Sequence, residues 1–198
     1  MGKKVIISFV ILIFCGINNI QKVYSQSLDI DRLGMAIEYF QSGKYHEALL
    51  IFQKLDKLYE LNSRFRAYIG VCYYYECDYE NACKYLDEMI PKLVSFAPHE
   101  RSIYYYTDSE SHFYLNQYDK AIPLYEQMLL ICYENEKPEV LYRIGMCYLF
   151  NEDWSNARDY FNSALSYYLR YRNTPKEHAR IAQIENMLKG CTNKLQKK

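Results

Sequence analysis

An aromatic residue followed three positions later by alanine recurs at four regularly spaced places in this chain, as Tyr45-His46-Glu47-Ala48, Tyr79-Glu80-Asn81-Ala82, Tyr118-Asp119-Lys120-Ala121 and Trp154-Ser155-Asn156-Ala157. The alanines stand 34, 39 and 36 residues apart. A period of that size marks stacked repeats, each of which buries its apolar face only against its neighbours. No other feature restricts the fold so strongly.

The flanking residues tell helix from strand. Ala36, Tyr39 and Phe40 precede Gly43, and Ala48, Ile51, Phe52 and Leu55 follow Tyr45, which is the spacing of a helical face on both sides of a break. Each unit therefore reads as helix, tight turn, helix. The turns carry Gly43-Lys44, Cys77-Asp78, Asn116-Gln117 and Glu152-Asp153. Gly and Asn suit the left-handed backbone that ends a helix, whereas Cys77 and Glu152 do not, so the second and fourth turns are expected to differ in geometry. Ser63 can cap one helix, Pro138 opens another, and Thr174-Pro175-Lys176-Glu177 combines a capping box with a first-turn proline. The last helix is expected from about Pro175 towards Lys189, with Ile181, Ile184 and Leu188 on one face and Arg180, Glu185 and Lys189 pointing elsewhere. The extra residues between the second and third tetrads fall around Pro91 to Arg101, where two prolines make a loop.

On these residues the chain resembles the tetratricopeptide repeat family. Gly70, Tyr73, Tyr79, Ala82, Leu86 and Met89 follow the family pattern in the second unit, and Gly145, Tyr148, Trp154, Ala157, Phe161 and Ala164 in the fourth. Ala36, Tyr39, Tyr45, Ala48, Phe52 and Leu55 follow it in the first; the third departs, with Ser109 and His112 at the early small and aromatic places. The resemblance implies an all-α fold, a right-handed superhelical array of about four helix-turn-helix repeats with a C-terminal capping helix. The repeats would span about 29–62, 63–100, 102–136 and 138–172, and the cap about 175–195. Small residues at Ala48, Ala82, Ala121 and Ala157 let paired helices approach closely.

The first residues do not belong to that array. Lys3 and Lys4 precede an apolar run from Val5 to Phe14, and Val23-Tyr24-Ser25 supplies small residues at the positions a signal peptidase reads, so residues 1–25 are expected to be a cleaved export signal and the mature chain periplasmic or secreted. The run is shorter than a membrane span of ~20 residues, so no span is expected in the mature chain and an uncleaved anchor is the weaker reading. Cys15 has the outline of a lipoprotein box, but Phe14 is bulky for the residue before it. Without the leader, 21 basic residues face 24 acidic ones, and the one basic cluster, Lys194, Lys197 and Lys198, reads as a solvated tail, so nucleic acid is not an expected partner. Six cysteines remain; export permits disulfides among them but a continuous helical core does not require any, Cys72, Cys77 and Cys83 lack the paired spacing of a zinc finger, and no metal or cofactor is expected.

Catalysis finds no foothold. His46, His99, His112 and His178 are scattered, with no metalloprotease motif, phosphate loop or nucleophile elbow. The family commonly binds extended or helical peptide segments on the concave side formed by the first helices. Carried over, those positions are Leu33, Ile37 and Phe40 in the first unit, Val71, Tyr74 and Tyr75 in the second, Tyr106, Glu110, Phe113 and Tyr114 in the third, and Tyr142, Met146 and Phe150 in the fourth. The groove would be rich in tyrosine, whose rigid ring and polar tip suit recognition. The expectation is a protein or peptide adaptor; the alternative is a small-ligand receptor, for example for glycans, using tyrosines as stacking platforms. The asparagine and lysine carboxylate clamp of one family subclass is absent, its places being held by Gly34, Ile37, Gln41, Tyr68, Val71 and Tyr75.

Overall fold

A computed structural model describes residues 28–197; the expected leader and Lys198 lie outside the described residues. The chain divides into two compact units, one up to Leu61 and the other from Asn62. The first holds α1, residues 28–41, and α2, Tyr45–Tyr59. The second holds α3 (Ser63–Tyr75), α4 (Tyr79–Met89), a 3-10 turn at Ile90–Leu93, α5 (Pro98–Tyr114), α6 (Tyr118–Leu129), α7 (Lys137–Phe150), α8 (Trp154–Tyr171), a 3-10 turn at Pro175–Glu177 and α9 (His178–Gln196). Among the described residues there is no strand, and no helix is long and apolar enough to cross a membrane. The fold is an all-α array of helix pairs.

In the first unit α2 buries Ala48, Leu49, Phe52 and Leu55, a stripe at helical spacing, and α1 buries Ala36. Asp29 on α1 accepts a hydrogen bond from the Tyr59 hydroxyl and pairs with Arg32 at 2.9 Å. These contacts hold its carboxyl below the usual carboxylate range.

In the second unit each helix packs on the next, from α3 and α4 through α8 and α9. The tetrad alanines are inaccessible in all four repeats. Gly70 and Gly145 mark the closest approaches: a Cβ on Gly70 would stand 2.7 Å from Leu86, and one on Gly145 2.7 Å from the Phe161 ring. Ser109, at the same register of the third repeat, is fully buried and turns its hydroxyl back to the Tyr106 carbonyl at 2.9 Å.

The turns correct one expectation. Gly43, Cys77, Asn116 and Glu152 all have positive φ, at 73°, 60°, 57° and 57°, so the second and fourth turns share the geometry of the others. The next residue's N–H donates five positions back in each: Lys44 to Tyr39, Asp78 to Tyr73, Gln117 to His112 and Asp153 to Tyr148, all at 2.9 Å. These bonds satisfy helix-end carbonyls and offset the unfavourable backbone at Cys77 and Glu152. Replacing Glu152 by glycine is therefore expected to stabilise the protein by about 1 kcal/mol. A urea midpoint that fails to rise would contradict this.

Two caps also differ from expectation. Asn62, not Ser63, caps α3, accepting from the N–H groups of Arg64 and Phe65 at 3.0 and 3.2 Å. The Thr174 side chain makes no capping hydrogen bond; Thr174 precedes a 3-10 turn opened by Pro175, its carbonyl accepting from the Glu177 N–H at 2.9 Å, and α9 begins at His178. Asp78 and Asp153 cap α4 and α8 by accepting from Asn81 and Asn156. The loop expected around Pro91 to Arg101 is short: Pro91 sits in the first 3-10 turn, and Pro98 opens α5. Ile181 and Ile184 seal the end of the array against α8, while Arg180, expected to point elsewhere, reaches Glu139 at 3.3 Å.

Candidate functional site

The C-terminal turns of α3, α5 and α7 carry tyrosine and phenylalanine beside the tetrad tyrosines that begin α4 and α6, and the repeat stacks them into a ladder. Tyr75 packs edge-on to Tyr74 at 5.1 Å, and Tyr74 meets Tyr79 at 6.0 Å. Tyr79 stacks on Tyr114 at 4.7 Å with 14° between the planes. Tyr114 meets Phe113 at 6.0 Å, Phe113 meets Phe150 at 5.9 Å, and Phe150 stacks on Tyr118 at 5.2 Å. Tyr75, Tyr114 and Phe150, at 53%, 47% and 48% exposure, present their outer parts to solvent. Such offset and edge contacts add about 1 kcal/mol per pair and hold the rings as a fixed surface.

Deeper between the helices lies an unexpected polar seam. Thr107 to His112 of α5 are all buried, where the register gives Tyr68 to Tyr73 and Arg143 to Tyr148 in the neighbouring repeats. Thr107 and Ser111 turn their hydroxyls back to carbonyls of their own helix. Glu110 accepts a hydrogen bond from the Tyr125 hydroxyl and pairs with Arg143 of α7 at 2.9 Å. Arg143 lies over the Phe113 ring at 5.1 Å and 3.7 Å from Glu139. Glu139 also accepts from the Tyr168 hydroxyl and from Arg180, which covers the Tyr142 ring at 4.2 Å. Burial pushes the Glu110 carboxyl up, against the pull of Arg143 and Tyr125, and burial beside Glu110 drives the Tyr125 phenol far above its ordinary value.

The other edge of the seam joins α5 to α4. The Cys83 thiol, an Asp108 carboxylate oxygen and a His112 ring nitrogen lie within 4.8 Å of one another, all three residues buried. His112 Nε2 is 3.3 Å from Asp87 and 3.7 Å from Asp108, and Nδ1 is 2.8 Å from the Gln117 side-chain oxygen. Burial, with the Asp87 charge beside it, raises the Asp108 carboxyl to about 8 and opposes His112, Cys83 and their polarity. Burial beside Asp108 and Asp87 pushes the Cys83 thiol up. Burial pulls His112 down, but its bonds to Asp87 and Gln117 and the Asp108 charge prevail and raise it. Among the described residues, the hydrogen-bond partners of His112 are Gln117 and Asp87, and no serine, threonine or cysteine nucleophile is held by it.

The residues expected to line a groove thus fall into three sets. Tyr74, Tyr75, Phe113, Tyr114 and Phe150 come together in the ladder, with Tyr106 and Met146 half-buried. Val71, Glu110 and Tyr142 are instead buried, at 2%, 0% and 3% exposure, because the helices approach closely enough to enclose them; they offer no surface to a ligand. Leu33, Ile37 and Phe40 belong to the first unit, where all three are half-buried. There Leu33 lines a cavity of about 340 Å³ with Ile30, Leu55, Tyr59 and Leu61, and Phe40 packs edge-on to Tyr45. The sequence reading missed Tyr79 and Tyr118 as ladder members, since it placed them only in the core. It also missed Arg143, the one charge between Val140-Leu141-Tyr142 and Ile144-Gly145-Met146.

Family models described as tetratricopeptide repeat match residues 112–139 and 139–168. No curated protein sequence matches the chain. Among solved structures, MamA 41-end from Desulfovibrio magneticus RS-1 is similar with a TM-score of 0.62 and 15% identity, over 85% of this chain and 92% of that one. MamA of strain AMB-1 gives a TM-score of 0.63 at 15% identity, over 85% and 88%. The hetero-tetramer Cut9-Hcn1 of the APC/C gives 0.60 at 17% identity, over 82% of this chain and 29% of that chain. At such identities the likeness is one of fold.

Proposed function

We propose that this tetratricopeptide repeat protein is an interaction scaffold that binds a peptide or protein segment along the aromatic ladder of α3, α5 and α7. The supporting observation is the recurrence of a half-exposed ring at one place in three successive first helices, Tyr75, Tyr114 and Phe150. A contiguous apolar row held rigid by stacking suits a partner that lays side chains along it at intervals. A sugar needs an open ring face, and here Tyr79 with Tyr114 and Tyr118 with Phe150 turn faces to one another; this favours the peptide over the glycan. The leader-like pattern of residues 1–25 supports a partner met after export.

The test is selection of binders from a displayed random peptide library, followed by anisotropy titration of the best peptide. The triple variant Tyr75→Ala, Tyr114→Ala, Phe150→Ala is expected to bind at least ~10-fold more weakly while remaining helical. Equal affinity in a folded variant would remove the ladder as the site. Selection of no peptide, with binding to a glycan array lost in the variant, would replace the peptide reading by the sugar one.

A further inference from the structure

The departure of the third repeat from its neighbours needs a physical reason. Asp108 stands where the flanking repeats have Ile69 and Ile144, and His112 where they have Tyr73 and Tyr148. Asp108 is wholly inaccessible, and neither of its carboxylate oxygens has a partner at full hydrogen-bonding geometry among the described residues, the Cys83 thiol and the Asp87 carboxylate being its polar neighbours. A buried carboxylate in that condition is destabilising unless something compensates it. His112 stands too far for a hydrogen bond, at 3.7 Å.

The helices supply the rest of a donor set. Cys83 and Asp87 are four residues apart on α4, and Asp108 and His112 four apart on α5, so each helix presents two donors from adjacent turns of one face. α4 packs against α5, which brings the two pairs face to face. The donors are one sulfur, one imidazole nitrogen and two carboxylates. Imidazole Nδ1 is held by Gln117, which leaves Nε2 turned to the aspartates. That second bond fixes the ring as outer partners do in metal sites. The surrounding charge is lopsided: a thiolate at Cys83 would join Asp108 and Asp87 with Lys120 as the cation acting on it.

We propose that Cys83, Asp87, Asp108 and His112 form a zinc(II) site that fastens α4 to α5. Mixed sulfur, nitrogen and oxygen donors in a four-fold set suit zinc, whose tetrahedral bonds of about 2.0–2.3 Å place donor atoms ~3.5 Å apart. The three buried donors already lie within 4.8 Å of one another, and Asp87 stands 3.3 Å from His112 Nε2, so the set must draw together by about 1 Å to reach that spacing. Binding displaces the thiol proton of Cys83, and any proton held by Asp108 or on His112 Nε2, to solvent past Asp87; that residue is 54% exposed and gives the ion its way in. The ion would fasten the second repeat to the third across the irregular Ile90–Leu93 connection. This site is independent of the aromatic ladder.

Cobalt(II) titration of the metal-free purified chain tests it, with zinc competition and melting followed alongside. Wild type is expected to take up one equivalent, with a thiolate-to-cobalt absorption band in the near ultraviolet, and zinc is expected to displace it and raise Tm. Cys83→Ser should lose the band, whereas the exposed Cys77→Ser should keep it. The double variant Asp108→Ile, His112→Tyr restores the residues of the neighbouring repeats, so it should remain folded, bind neither ion and show no rise in Tm. Asp87→Asn, at the surface, should weaken binding at least tenfold. A wild type that takes up neither ion, or a Cys83→Ser protein that keeps the thiolate band, overturns the proposal.

Discussion

Replacing Arg143 by alanine is expected to destabilise the protein by about 3 kcal/mol, through what it leaves behind more than what it removes. Glu110 has no exposed surface, and Arg143 is its one cationic partner at ion-pair distance among the described residues. Truncation strands a carboxylate inside the array with only the Tyr125 hydroxyl still donating to it. It also strips the guanidinium from Phe113 and loosens Glu139. The companion variant Glu110→Gln, Arg143→Ala keeps an acceptor for Tyr125 while removing the charge. It should recover about half of the loss, since an apolar or neutral replacement of both partners avoids the desolvation penalty. Urea denaturation of wild type, both single variants and the double variant measures the coupling. Strictly additive effects would show that the two residues do not act as a unit.

Gly145→Val is expected to reduce stability by a similar amount, about 3 kcal/mol, for a steric reason. The added Cβ would stand 2.7 Å from two carbons of the Phe161 ring, and Phe161 is fully buried between Ala157 and Ala164. A flat ring enclosed on all sides cannot turn aside, so α7 and α8 must separate. Gly190 in α9 provides the control. Nothing lies within 4 Å of a Cβ there, and Gly190→Ala should stabilise by up to about 1 kcal/mol through helix propensity alone. Thermal and urea unfolding of the two variants should move in opposite directions. A Gly145→Val protein as stable as wild type would mean that the repeat tolerates a wider helix spacing than its packing suggests.

Much of the architecture was legible from the sequence because the repeat states its own register. Once the four alanines align, the helix pairs, the glycines at 70 and 145 and the aromatic core positions follow from periodicity. The turns were misread because residue preference was taken as decisive. Cys77 and Glu152 are poor choices for a left-handed backbone, yet the capping hydrogen bonds that close each turn impose it on whatever residue stands there. The candidate surface was half legible. Family register correctly separates first from second helices, but it does not report depth, and Val71, Glu110 and Tyr142 fall on the inner side of that face. Of the Cys83 to His112 cluster only the α5 half was legible, His112 at a core aromatic's place with Asp108 one turn before it; Cys83 and Asp87 lie on α4 and join that pair only when α4 lies on α5.

The neighbour-to-neighbour packing of α3 to α9 bears on how the chain reaches this state. Its principal contacts join each helix to the next, and the longest principal step runs from α3 to α5. Closing short loops removes little chain entropy before contacts form, and topologies made of such contacts cross low kinetic barriers. Assembly can therefore advance like a zip from whichever hairpin of helices is seated first, each supplying the template for its neighbour.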